Sequence, residues 1–144
     1  MTAPHPEGAG ALRAMRAALR DARLDPEAIG YINAHGTGTP HNDAAESAAV
    51  RALLGPRAAQ VPISSIKSMV GHTLGAAGAI EAVAAVLALV DEALPPTVNL
   101  QTPDPEFGLD FIRGAARAER VDAVLSASFA FGGNNAVLIF TRAA

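Results

Sequence analysis

Residues 67–78 have the sequence KSMVGHTLGAAG and join an apolar, strand-like segment to the start of a glycine-punctuated helix. They contain the only lysine of the chain, Lys67, five residues before His72. Residues 33–40, NAHGTGTP, repeat this organisation, because a strand-like run is followed by His35 and then by small and hydroxyl residues. Open α/β sheets bind their ligands beyond the carboxyl ends of strands. The two stretches therefore predict one site, assembled from His35 and His72 at two strand ends.

The composition predicts a single domain, residues 1–144, in which folding buries about 68–70% of the surface of the unfolded chain. Half of the residues are apolar, and a net charge of −3 does not indicate a nucleic-acid partner. The chain has no cysteine, which excludes disulfides, thiolate zinc ligands and a cysteine nucleophile from these residues. Because residues 1–10 lack the pattern of a secretory signal, we expect a cytoplasmic protein.

Apolar periodicity and turn residues predict an alternation of helices and strands. Asp43 and Glu46 have the spacing of a capping box at the start of the second helix. Such an alternation implies an α/β fold with a largely parallel sheet and an antiparallel edge. The predicted helices span residues 11–23, 42–54 and 76–94, and the predicted strands span residues 29–34, 61–69, 109–112, 123–129 and 135–140, the last two as a hairpin.

The third predicted helix is nearly all apolar, with charges only at Glu81, Asp91 and Glu92. A helix that is apolar all round is buried on every side, either in a protein core or in a membrane. Residues 76–90 are too few to span a bilayer, and they include a charge. We therefore predict a core helix between two layers, ended by Pro95-Pro96, and no membrane association.

The first predicted helix is amphipathic. Its apolar face is opposed by a face that carries Arg13, Arg16, Arg20 and Arg23, which we call the arginine face. The simplest interpretation is that these side chains are solvated. The alternative interpretation is a docking patch for an acidic carrier protein.

The two histidine loops suit a site that stabilises negative charge. Neutral imidazoles present N–H donors to a developing enolate or oxyanion, and the ammonium group of Lys67 helps to set their protonation states. Glu81 would balance this lysine, since a lone charge in an apolar helix is costly. Thr37 and Thr39 add hydroxyls that can bond an extended ligand.

Two simpler interpretations of the histidines remain open from the residues alone. One histidine in a glycine loop is commonly a structural hydrogen-bonding group, although two such loops favour a functional pair. A zinc site built from His35, His41 and His72 is a weak alternative, because no two of them are four residues apart and no cysteine assists. His5 and His41 are expected at the surface.

Three ordered motifs closely resemble the condensing enzymes called β-ketoacyl-acyl-carrier-protein synthases. They are residues 35–39 (HGTGT), Lys67 with residues 71–78 (GHTLGAAG), and residues 129–135 (FAFGGNN). The resemblance covers essentially the whole chain and is greatest to fatty-acid elongation enzymes and bacterial polyketide ketosynthases. It implies the second, C-terminal half of a thiolase-like fold: a mixed, mainly parallel sheet with a C-terminal antiparallel hairpin, layered on a buried helix.

The resemblance also implies an acyltransferase reaction, the decarboxylative Claisen condensation. Malonyl-acyl carrier protein loses carbon dioxide, and the enolate attacks an acyl group that is held on a cysteine. By family position, His35 and His72 assist decarboxylation and stabilise the enolate, Lys67 supports them, and Glu81 is the structural partner of Lys67. The remaining matches are Thr37 and Thr39, to threonines that bond the phosphopantetheine arm, and Phe131, to a gating phenylalanine whose N–H joins the oxyanion hole.

The chain resembles only half of the family protein, and the nucleophilic cysteine belongs to the other half. We therefore expect a companion chain that supplies this half, and we expect the isolated chain to be inactive. A mid-sheet strand of the family would precede Met1, so we expect an interrupted sheet and a helix at residues 76–90 that lacks one covering layer. The other expected partner is an acyl carrier protein, whose phosphopantetheine carries the substrate, within a higher oligomer; no cofactor or metal is expected on this chain.

Two other functions are compatible with parts of the pattern. A non-catalytic subunit comparable to chain-length factors would only buttress a catalytic partner, but the presence of His35, His72 and Lys67 together favours the enzyme. A thiolase has a related glycine-histidine loop. That family keeps a second catalytic cysteine in the final hairpin, and residues 123–140 contain none.

Overall fold

The computed structural model describes residues 3–143, which form a five-stranded mixed sheet with helices on both faces. The helices are α1 (Ala9–Ala22), α2 (Pro40–Leu54), α3 (Lys67–Val70) and α4 (Ala77–Asp91). The strands are β1 (Tyr31–Asn33), β2 (Pro62–Ser64), β3 (Ala93–Leu94), β4 (Asp110–Phe111), β5 (Arg117–Ala118), β6 (Ala123–Phe129) and β7 (Asn135–Thr141).

The main sheet has the strand order β4-β2-β1-β6-β7. β1 pairs in parallel with β2 and β6, β2 pairs in parallel with β4, and β7 is antiparallel to β6. The predicted mainly parallel sheet with a C-terminal hairpin is therefore confirmed. The predicted interruption of the sheet is wrong, because β6 lies directly beside β1 and closes the gap. β3 and β5 form a separate antiparallel pair that the sequence did not predict.

Alternation along β1 divides the core between the two faces of the sheet. Ile32 belongs to the apolar cluster under α1 and α2, together with Met15. Tyr31 belongs to the cluster under α4, together with Ala85. Asn33 also points to α4, and all three β1 side chains are buried. The strand that leads into the first histidine is therefore fixed from both sides.

Of the predicted element ends that are wrong, two lie beside the histidine loops. The second helix begins at Pro40, after Thr39 as the N-cap residue, and no side chain caps it. A proline suits this first turn because its missing N–H would have had no helical partner. The strand predicted for residues 61–69 ends at Ser64, and Lys67 opens the short helix α3. The lysine therefore lies on a helical turn instead of a strand end.

The helix α4 is covered on one side only, so the expectation of burial on every side is wrong for the described residues. Val83 is 60% exposed and Val90 is 66% exposed, whereas Glu81 and Ala85 are buried. The helix ends at Asp91, before the two prolines, because Glu92 takes a left-handed conformation (φ 52°). The helical segment Leu74–Asp91 has the length and the mean hydropathy, 1.8, of a membrane span, but core helices of soluble proteins have the same properties.

Candidate active site

The structure brings the two predicted histidines together. The ring centroids of His35 and His72 are 5.6 Å apart, with the rings nearly perpendicular at 85°. Phe129, the last residue of β6, lies 5.7 Å from His35, centroid to centroid. The carboxyl ends of β1 and β6 and the loop that follows α3 therefore meet at one place. His35 is buried at 6% exposure, whereas His72 is exposed. His35 therefore lies inside the site and His72 lies at its surface.

A buried carboxylate holds the His35 loop. Oε1 of Glu46 accepts the backbone N–H of His35 at 2.8 Å, and Oε2 accepts that of Gly36 at 2.9 Å. Burial raises the pKa of the Glu46 carboxyl, while these two N–H groups act in the opposite direction. The predicted capping box is therefore wrong. From inside α2, Glu46 bonds the backbone of the preceding loop and the side chain of Asn42, whereas the backbone N–H of Asp43 donates to the carbonyl of Thr39. The signal for this role was an acid among alanines on the buried face of α2.

Gly36 is required by the tight contact between the two loops. It has φ 45°, and a Cβ added there would lie 2.4 Å from Cβ of Ser65. The hydroxyl of Ser65 donates to the carbonyl of Gly36 at 3.1 Å and accepts the N–H of Lys67 at 3.3 Å. Thr97 accepts the N–H of Ser65 at 3.0 Å. Sequence reasoning missed Ser65 and Thr97, although two serines directly after an apolar strand were a usable signal.

Lys67 and Glu81 form a buried ion pair between the start of α3 and the first turns of α4. The hydroxyl of Ser128, near the end of β6, donates to the second carboxylate oxygen of Glu81 at 3.3 Å. A buried charge is tolerable only when it is paired and hydrogen-bonded. This pair explains how an apolar helix accommodates Glu81, and it fixes a positive charge beside the histidines.

The protonation of the histidines follows from their surroundings. Burial, with the charges of Lys67 and His72 adding to it, lowers the pKa of His35 to about 4, so this imidazole is neutral at pH 7. Its Nδ1 is buried without a hydrogen-bond partner within residues 3–143. Nδ1 of His72 accepts the backbone N–H of Leu74 at 3.2 Å, which puts the proton of a neutral ring on Nε2. The site thus presents an uncharged imidazole at His35, and Nε2 of His72 is left to donate to a ligand.

The other predicted site residues lie at the entrance. The hydroxyls of Thr37 and Thr39 are 3.0 Å apart and bond each other in the loop after His35. Phe131 begins a short turn, Phe131–Gly133, between β6 and β7, and its side chain is 76% exposed. Two glycines with positive φ follow it. The structure does not bring the Phe131 ring against either histidine, in contrast to Phe129.

The remaining histidines are outside this site. His5 and His41 are both exposed, as predicted. Within residues 3–143, no group of three or more His, Cys, Asp or Glu side chains is close enough to hold a metal ion. A cavity of about 180 Å³ lies on the other side of the His35 loop, between α2 and residues 97–111, and neither His35 nor His72 lines it. The histidine pair itself borders open surface.

Comparison with known families matches residues 1–101 to the family described as β-ketoacyl synthase, C-terminal domain. A curated relative, 3-oxoacyl-[acyl-carrier-protein] synthase 2 of Synechocystis sp., is 52% identical over 142 residues, which are 99% of this chain and 34% of the relative. The chain spans about a third of the length of such relatives.

Solved structures of the same kind superimpose on the whole chain. The ishigamide ketosynthase/chain length factor matches with a TM-score of 0.93 at 43% identity, over 99% of this chain and 34% of that one. The complex AntDE:AntF, described as a type II PKS acyl-carrier protein with its ketosynthase, matches with a TM-score of 0.95 at 39% identity, over 99% and 35%. The predicted thiolase-like half-fold is confirmed.

Proposed function

We propose a function for this chain from the premise that it belongs to the β-ketoacyl synthase family, whose C-terminal domain it forms. The chain contributes two active-site histidines to the decarboxylative Claisen condensation of an acyl thioester with malonyl-acyl carrier protein, in fatty-acid or polyketide synthesis. A companion chain supplies the cysteine nucleophile, because these residues contain none. The chain acts in the cytoplasm, and without its companion it is inactive.

The observation that carries this proposal is the convergence of His35 and His72, whose ring centroids are 5.6 Å apart, with His35 uncharged at pH 7. Decarboxylation breaks the bond between the carboxylate carbon and the α carbon of the malonyl thioester. The electron pair passes to the thioester oxygen as an enolate, and carbon dioxide leaves. Donors that are fixed before this charge develops stabilise it without reorganising. The neutral ring of His35 suits the step because it donates an N–H group without first attracting the malonyl carboxylate as a counterion.

The second half of the reaction forms the new carbon–carbon bond. The enolate α carbon attacks the acyl carbonyl on the cysteine, and the cysteine thiolate leaves, which yields a β-ketoacyl thioester on the carrier. Burial keeps His35 deprotonated, and the positive charge of Lys67, held by Glu81, acts in the same direction. Thr37 and Thr39 bond the phosphopantetheine arm at the entrance, and the Phe131 turn gates it and contributes a backbone N–H to the oxyanion hole.

The uncovered side of α4 supports a companion chain. Ile80, Val83, Val86, Leu87 and Val90 are all exposed on this helix, and we call them the apolar face of α4. Contiguous exposed apolar surface of this kind marks an interaction site. Met69, Val70 and Leu74 extend it to the loop that carries His72. The apolar face therefore borders the site where the missing sulfur is needed.

The test is reconstitution of the reaction with a second chain. This chain is co-expressed with a ketosynthase N-terminal half that carries the cysteine, and carbon dioxide release from malonyl-acyl carrier protein is measured together with β-ketoacyl product. We expect His35→Asn and His72→Asn each to lower the rate by about 10²–10³, the usual effect of removing one oxyanion donor. His41→Asn is the matched control, since His41 is an exposed histidine away from the pair.

Two results would contradict the proposal. An assembled complex that releases no carbon dioxide would do so, as would full activity in both site variants. If the variants assemble normally and activity is unchanged, the chain is a non-catalytic subunit comparable to chain-length factors.

A further inference from the structure

A cavity lies behind the loop that carries His35, on the side of the sheet that faces α1 and α2. It has a volume of about 180 Å³ and is bounded by α2, by the carboxyl ends of β1 and β2, and by residues 97–111. Ile63 and Phe111 line it, and both also pack in the apolar cluster under α1 and α2. A companion chain on the apolar face of α4 therefore leaves this cavity open.

The segment that closes the cavity, residues 97–111, is tied down at several points. Arg51 of α2 donates to the carbonyl of Glu106 at 3.1 Å and to that of Phe107 at 2.7 Å. Arg113 donates to the carbonyl of Gln101 at 3.0 Å. Ligand sites are commonly formed before the ligand arrives, which avoids the cost of ordering a loop on binding. The cavity meets this condition, because its cover is already hydrogen-bonded to the rest of the chain.

The cavity offers few free hydrogen-bonding groups to water. The carboxylate of Glu46 already accepts two backbone N–H groups and a side-chain amide. The hydroxyls of Ser64, Ser65 and Thr97 are bonded to other parts of the chain. Ser47 is 4% exposed, and its hydroxyl makes no hydrogen bond within residues 3–143. A buried water needs two to four polar partners, so an apolar group replaces water here at little cost.

The charge and the aromatic rings of the lining both favour a cation. Its titratable side chains are all acids, namely Asp43, Glu46 and Asp104, and no lysine, arginine or histidine lines it. Asp104 is exposed and Asp43 is half-buried, so both lie where the cavity opens to solvent. Phe107 and Phe111 line it as well, with ring centroids 6.4 Å apart. Carboxylates and the faces of aromatic rings attract an ammonium group, and the same carboxylates repel an anion.

We propose that this cavity binds a small organic cation, a benzene-sized apolar ring that carries one ammonium group. Apolar cavities of about 150 Å³ bind benzene, so about 180 Å³ accommodates such a ring with a short arm. The ring contacts Phe107 and Phe111, and the ammonium group lies at the opening, beside Asp43 and Asp104. The site is separate from the histidine pair, and its occupation does not require the condensation reaction.

The experiment is calorimetric titration of this chain, in complex with its companion, with three probes of similar size. At pH 7 benzylamine is a cation, benzyl alcohol is neutral and benzoate is an anion. We expect benzylammonium to bind with a dissociation constant on the order of 1 mM, benzyl alcohol to bind about threefold more weakly or worse, and benzoate not to bind. Asp43→Asn/Asp104→Asn should weaken benzylammonium binding about three- to tenfold, the effect of losing two partly solvated charge contacts. It should leave the binding of benzyl alcohol unchanged.

Further variants locate the bound probe. Ser47→Leu fills the cavity from α2 and Leu100→Phe fills it from the covering segment, so each should abolish the binding of both benzylammonium and benzyl alcohol. Thermal unfolding identifies any variant that fails to fold, and the two changes lie on different elements. Asp21→Asn/Asp25→Asn is the matched control, because it removes two exposed acids outside the cavity, and it should leave binding unchanged. Binding that persists in both filled variants would overturn the proposal, as would equal affinity for benzylammonium and benzoate.

Discussion

The two faces of the sheet are finished in different ways. On one face, α1 and α2 put apolar side chains and the hydrogen-bonded acid Glu46 inward and exposed arginines outward, so that the layer ends in water. On the other face, α4 buries Glu81 and exposes its three valines and Leu87. A hydrophobic surface that faces outward and a charge that faces inward reverse the usual arrangement. The difference indicates that the face under α1 and α2 is complete, and we call it the finished side. The face under α4 is one half of a core, and we call it the unfinished side.

The candidate site lies at the boundary between these two faces. His35 is held from the finished side, by Glu46 of α2. His72 follows α3 on the unfinished side, and the Lys67–Glu81 pair lies beneath it. The finished side therefore supplies the rigid half of the site. The unfinished side supplies the exposed half, which a partner can complete.

The largest expected effect tests the buried ion pair on the α4 side of the sheet. Lys67→Met leaves Glu81 as an unpaired buried charge, which should lower the free energy of unfolding by about 3–5 kcal/mol. The double variant Lys67→Met/Glu81→Leu should recover most of this loss, because no charge is then buried. Urea denaturation of the purified protein measures both. A loss below 1 kcal/mol in the single variant, on the order of an exposed pair, would mean that the pair is solvated.

The next effect concerns the finished side and depends on pH. The pKa of His35 is lowered from 6.5 to about 4 in the folded protein, so below pH 6.5 the unfolded chain binds the proton that the folded chain excludes. Stability should therefore fall as the pH falls from 6.5 to about 4, by about 1.4 kcal/mol for each pH unit.

The variant His35→Asn isolates this contribution. It should lack that slope, while the opposite contribution of the Glu46 carboxyl, whose pKa burial raises, is present in both proteins and cancels in the comparison. The measurement is the urea midpoint as a function of pH. Parallel curves for the two proteins would show that His35 is not protected from protonation.

The smallest effect compares the outer surfaces of the two faces. Leu87→Asp on the apolar face of α4 should weaken association with the companion about tenfold or more, because a charge enters an apolar interface. Ala17→Asp, on the exposed side of α1, is the matched control and should leave association unchanged. Both variants should alter the stability of the chain itself by no more than about 0.5 kcal/mol. Co-purification and size-exclusion chromatography measure the outcome, and equal assembly of the two variants would contradict the comparison.

Much of the fold and the meeting of the histidines followed from the sequence. Periodicity located α1 and the β6–β7 hairpin, and the rule that parallel strands share a carboxyl edge predicted that His35 and His72 meet. The sequence predicted the apolar helix α4 correctly. Its apolar surface does not show, however, whether this chain or another chain covers it. The end of β2 was missed because the apolar residues Ile66 and Met69 extend the strand-like segment, although they do not keep the alternation of Val61 and Ile63.

Glu46 shows why part of the site was out of reach. An acid three residues after Asp43 fits a capping box, and the same acid fits a bond to any backbone N–H that folding brings near. Only the three-dimensional path of the His35 loop decides between the two. Ser65 and Thr97 were missed for the same reason, since their contact joins segments 32 residues apart.

The two hydrogen bonds that the His35 loop donates to Glu46 have a consequence for the binding of small anions. Phosphate and sulfate are captured by clusters of main-chain amides that point into a concavity. Here the amides of residues 35 and 36 are saturated from within the molecule. These two amides are therefore not available to an incoming anion, so phosphate-buffered assays should give the same rates as assays in uncharged buffers.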